Sequence, residues 1–82
     1  MSQKAGQIWV FLHPWDRDCQ RWIRREAGLS DHRGVRVVDV RTSQEAEDWG
    51  ITQVPYCVRV VGGRPVAAVV GDIPAAVIHD LI

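Results

Sequence analysis

The chain has 82 residues, 46% hydrophobic and 24% charged, a balance that excludes a disordered polymer and a membrane-spanning bundle and predicts one soluble domain over residues 1–82. Ten basic and ten acidic residues cancel, so no global field draws nucleic acid or an anionic membrane surface. Two cysteines are too few for a disulfide scaffold. Residues 1–6 lack the apolar stretch of a signal peptide, which sets a cytoplasmic expectation.

Residues 7–13 hold Ile8, Trp9, Val10, Phe11 and Leu12 in succession, the continuous apolar run of a central strand covered on both faces. Over residues 18–27 the apolar positions are Cys19, Trp22, Ile23 and Ala27. This spacing predicts an amphipathic helix with Cys19 on its buried face, stopped by Gly28. Arg17, Arg21, Arg24 and Arg25 make a basic edge partly matched by Asp16, Asp18 and Glu26, read as a solvated face. Residues 35–40 return to a β-branched strand, so strand, helix and strand form a βαβ unit with parallel strands.

Thr42 with Glu45 three residues later predicts a capping box, opening a short helix that Gly50 closes after Trp49. Residues 56–61 and 65–70 are strands joined across Gly62-Gly63, a pair whose tolerance of positive φ suits a two-residue hairpin. Gly71-Asp72 breaks the second strand, Asp72 is a candidate cap, and Pro74, Val77, Ile78 and Leu81 give the last helix an apolar stripe. The order βαβαββα predicts an α/β fold with a mixed four-stranded sheet and helices on both faces.

Three stretches resemble the thioredoxin and glutaredoxin superfamily. Trp15-Asp16-Arg17-Asp18-Cys19, following an apolar strand, is similar to the family's active-site turn, in which a Trp precedes a C-x-x-C pair that opens a helix. Trp49-Gly50-Ile51 running into Val54-Pro55 resembles the approach to the family's cis-proline, and the stretch from Val61-Gly62-Gly63 to Gly71 resembles its hairpin. The chain lacks the leading strand and helix of full thioredoxins and is closer to a glutaredoxin in size. The resemblance implies a thioredoxin-like fold, with a cis Val54-Pro55 bond lying against the start of the first helix.

The departures bear on activity. The attacking cysteine of the family pair falls on Asp16, and the resolving position is kept as Cys19. A carboxylate cannot form a mixed disulfide. Val10 stands where thioredoxins bury a carboxylate, and Asp18 replaces the proline common before the second cysteine. For the glutathione site of glutaredoxins, Gly71-Asp72 is a partial echo only. Asp16 has a reading without redox chemistry, as the N-cap of the helix, where its charge and burial of the thiol together raise the pKa of Cys19.

Trp9, Trp22 and Trp49 fall on apolar faces and read as packing residues. Trp15 sits in a turn, and with Tyr56 beside Pro55 it forms either a lid on the core or an exposed aromatic patch for a partner. His13, His32 and His79 share no ligand spacing with the cysteines, so no metal site and no cofactor is expected. Cys19 and Cys57 are either two separate buried thiols or a pair brought together by the fold, since strand alternation turns Cys57 to the side of the first helix.

Two functions follow as expectations. One is a redox-impaired module that binds a protein or peptide through Trp15, Val54, Pro55 and Tyr56. The other is a thiol-disulfide oxidoreductase working through Cys19, alone or with Cys57.

Overall fold

The computed structural model describes residues 6–26 and 35–82. The elements run β1 (Gln7–Leu12), α1 (Arg17–Arg25), β2 (Val35–Asp39), α2 (Gln44–Asp48), β3 (Tyr56–Val61), β4 (Arg64–Val70) and α3 (Ala75–Leu81). The sheet has the order β2-β1-β3-β4. β1 pairs parallel with β2 and antiparallel with β3, and β3 pairs antiparallel with β4.

The apolar run of β1 is explained by its place, since Ile8 to Leu12 are all buried between two layers of helix. On one face Ile8, Val10 and Leu12 pack with Cys19 and Trp22 of α1, Val35, Cys57, and Ala75 and Ile78 of α3. On the other face Trp9 and Phe11 pack with Ala46 of α2, Val58 and Val60. Trp49 closes that side, its ring 5.5 Å from Trp9 and 5.8 Å from Phe11. Strand alternation alone assigns the two clusters. It also aims Arg59 at the α1 and α3 side, where its Nε donates to the Ile82 carbonyl oxygen at 2.6 Å.

Gly62 and Gly63 take φ of 59° and 77°. Both central residues of a type I′ hairpin turn need such angles, which glycine adopts without a Cβ clash. Gly50, with φ of 65°, stops α2 in the same left-handed region.

Four local expectations are corrected. The N-cap of α2 is Ser43, whose side chain accepts from the Ala46 N–H at 3.1 Å, while the Thr42 hydroxyl turns back to the Asp39 carbonyl. Pro74, not Asp72, sits at the N-cap of α3. The buried positions of α3 are Ala75 and Ile78, whereas Val77 and Leu81 are 42% and 54% exposed. Ile23 is likewise exposed; it lines a shallow apolar hollow of about 110 Å³ with Leu12, Pro14 and Val37 beside the edge strand β2. Ala27 and Gly28 lie outside the described residues.

The freed Asp72 has another task. Its carboxylate receives Arg25 at 2.7 Å and Arg21 at 3.7 Å, so the basic edge of α1 is partly committed to the loop before α3. Glu26, expected on the solvated face, is buried instead; its Oε1 accepts the Ala75 N–H at 3.1 Å and its Oε2 accepts from Arg25. Trp22 adds a third tie, donating from Nε1 to the Ile73 carbonyl at 2.7 Å.

Candidate functional site

The site is the turn between β1 and α1 together with the entry to β3. His13 ends the apolar run, and its carbonyl accepts the Asp16 N–H at 3.0 Å, which turns the chain toward the helix. Asp16 has extended backbone angles, and its Oδ2 accepts the Cys19 N–H at 2.9 Å. It is therefore the N-cap of α1. The bond from Cys19 N holds the Asp16 carboxyl below the usual carboxylate range.

One turn into the helix, Cys19 is fully buried, and the His13 N–H donates to its sulfur at 3.4 Å. Burial pushes the Cys19 thiol up to about 11; the His13 bond pulls the other way, and the Asp16 and Asp18 carboxylates add to the rise. Cys57, opposite Val10 in the sheet, is also fully buried and is pushed up to about 12 by burial, with the Asp72 charge and Cys19 contributing. Both cysteines are free and belong to one core cluster. At neutral pH both are thiols, not thiolates, and so weak nucleophiles.

The Val54–Pro55 peptide bond is cis. One step beyond the Phe11–Tyr56 pair, Pro55 falls alongside the end of β1, where the turn begins. Pro55 is buried, and its carbonyl accepts the Gly71 N–H at 2.9 Å. Val54 packs against the cluster that contains Cys19, whereas Tyr56 packs on the opposite face with the Trp9 and Phe11 cluster. Two residues apart within one strand would share a face. Val54 lies before β3 begins at Tyr56, so it is free of that alternation and packs on the other side.

Trp15 is 72% exposed. Its backbone N–H donates to His13 Nδ1 at 3.2 Å, and the two rings lie 5.5 Å apart. The Arg41 guanidinium sits over the indole, 4.5 Å from its centroid. Arg41 is held in turn by Asp39, Nε to Oδ1 at 3.1 Å and Nη2 to Oδ2 at 2.8 Å, while the Arg41 N–H also bonds Oδ1 at 2.9 Å. This pairing holds the Asp39 carboxyl below its usual range. Asp39 and Arg41 were not among the residues that sequence reasoning singles out. Their only signal is the Asp-x-Arg spacing at a strand end, a turn-forming pattern that says nothing of a Trp elsewhere in the chain.

Among the described residues no group of three His, Cys, Asp or Glu side chains is placed to hold a metal ion, and no helix is long and apolar enough to cross a membrane.

No family model matches the chain, and no curated protein sequence matches it. Solved structures do. The thioredoxin of Malassezia sympodialis is 27% identical, with a TM-score of 0.70 over 92% of this chain and 76% of its own. Reduced Schistosoma mansoni thioredoxin is 27% identical, with a TM-score of 0.68 over 93% of this chain and 76% of its own. A mutant thioredoxin from Halobacterium salinarum is 27% identical, with a TM-score of 0.67 over 92% and 69%. Sheet order, the helices on both faces and these neighbours agree: the chain has the thioredoxin-like fold.

Proposed function

We propose that the chain is a redox-impaired member of the thioredoxin-like superfamily that binds a protein or peptide partner at the turn between β1 and α1, with exposed Trp15 as the anchor and half-buried Val54 and Tyr56, the two residues flanking buried Pro55, as further contacts. In this reading Asp16 stands where the family carries its attacking cysteine. The observation that carries it is the capping role of Asp16: the carboxylate is bonded to the Cys19 N–H and has no sulfur to exchange. The retained Cys19 is buried and protonated at neutral pH. Exposed Trp15 supplies the kind of rigid aromatic anchor that contact surfaces favour.

Reduction of insulin disulfides with dithiothreitol as the electron source tests this. The native chain reduces them no faster than dithiothreitol alone, and Asp16→Cys introduces measurable exchange. Native turnover comparable with that of a working thioredoxin would overturn the proposal.

The second reading is a thiol-disulfide oxidoreductase that uses Cys19 with Cys57. Their membership of one buried cluster favours it. In that reaction the two thiols become one disulfide, and the two electrons and two protons they give up reduce a substrate disulfide to two thiols. Native turnover that is lost in both Cys19→Ala and Cys57→Ala would select it.

A further inference from the structure

We propose that Arg41 is the positioning residue of the Trp15 contact surface, fixing the indole before any partner arrives. The use of that surface rests on the binding-module reading; the positioning itself does not.

A tryptophan that is 72% exposed in a turn has few neighbours to hold its ring. Here two supports converge. His13 takes the Trp15 backbone N–H on Nδ1, which fixes the residue's main chain. Arg41 covers a face of the indole with its guanidinium at 4.5 Å, within reach of the ring's negative face. A cation on a long flexible side chain would be a poor clamp by itself, because it carries its own rotamer freedom. Asp39 removes that freedom. It receives Nε and Nη2 on its two carboxylate oxygens and the Arg41 N–H on one of them, so side chain and backbone of Arg41 are fixed together. A planar fork bonded at two points presents its flat face in one direction. That direction is the indole. Ordering the anchor in the free protein lowers the entropy lost on association, so the arrangement raises affinity without adding a contact to the partner.

The chain has four tryptophans, so a ¹⁵N-labelled sample gives four indole N–H signals, and Trp15→Phe identifies the one of interest. The heteronuclear NOE of that signal reports whether the ring is fixed on the ps–ns timescale. In the native chain it is expected to match the NOE of the buried Trp9 and Trp22 indoles. Arg41→Met and Asp39→Asn should each lower it toward the value of a free side chain while leaving the other three signals in place. Arg41→Lys keeps the charge without the planar fork and should fall with them. A native Trp15 indole already as mobile as a free side chain, or one unchanged in both Arg41→Met and Asp39→Asn, would overturn the assignment. An Arg41→Lys chain that retains the native NOE would overturn the role given to the two-point bond with Asp39. Failure of the binding-module reading is distinct, since it shows as disulfide turnover by the native chain.

Discussion

At the scale of single residues, the site is governed by what an N-cap carboxylate does to its neighbours. Asp16 stabilises the start of α1 by accepting the Cys19 N–H, a type of contact worth ~0.5–2 kcal/mol. The same position puts a negative charge beside a buried thiol, and desolvation and charge act in the same direction on it. Raised from 9.0 to about 11, the Cys19 thiol has about a hundredfold less thiolate near pH 8 than an ordinary cysteine, and steric burial slows it further. Iodoacetamide at pH 8 should therefore leave both cysteines of the folded chain largely unmodified, while in denaturant both react at once. Mass measurement after timed quenching checks this. Rapid single labelling of the folded chain would show Cys19 to be a reactive thiol.

At the scale of elements, the three ties between α1 and the segment from Asp72 to Ala75 matter most. Helix α3 begins at Ala75 after Pro74, with no side chain of its own capping it. Glu26 supplies the missing acceptor from 49 residues away. A buried carboxylate bonded both to a helix N-terminal N–H and to Arg25 is favoured by the helix dipole as well as by the ion pair. Glu26→Ala leaves the Ala75 N–H without its acceptor and should cost roughly 1–3 kcal/mol. Glu26→Gln, which keeps an acceptor, should cost less. Urea unfolding of the two variants measures the difference. Sequence reading placed Glu26 on the solvated face because Arg24, Arg25 and Glu26 form a charged run; only the docking of α3 buries it. The same holds for Asp72. A polar residue before a helix reads as a cap, and it becomes a receiver of Arg25 and Arg21 once α1 lies alongside.

For the molecule as a whole, the two free thiols make the first core cluster sensitive to alkali. Folded-state pKa values of about 11 and about 12 stand above the ordinary 9.0. The folded chain keeps protons that the unfolded chain releases, so stability is full below about pH 9 and declines as pH rises toward 11 and 12. Urea midpoints at pH 7, 9, 10 and 11 should show this decline. Cys57→Ala, although weaker at neutral pH for want of a sulfur in the core, should show a shallower slope; equal slopes would remove the thiols as its cause.

The sequence by itself determined the element order, the central place of β1 and the two-residue hairpin at Gly62-Gly63, which rest on period, apolar runs and turn residues that are local and survive in one dimension. The thioredoxin-like fold was implied by the resemblance of the Trp15–Cys19 and Val54-Pro55 stretches to that superfamily. The sequence also placed Cys19 on the inner face of α1, because helical spacing fixes which residues share a face. Tertiary structure alone decided which of the remaining residues meet. It put Val54 and Tyr56 on opposite faces of the sheet, left Ile23, Val77 and Leu81 in solvent, and set Ser43 in place of Thr42 as the cap of α2. It brought Arg41 over Trp15 and Glu26 under α3. Contacts between residues 26 or 49 positions apart depend on how strands pair and helices dock, and no local spacing encodes that geometry.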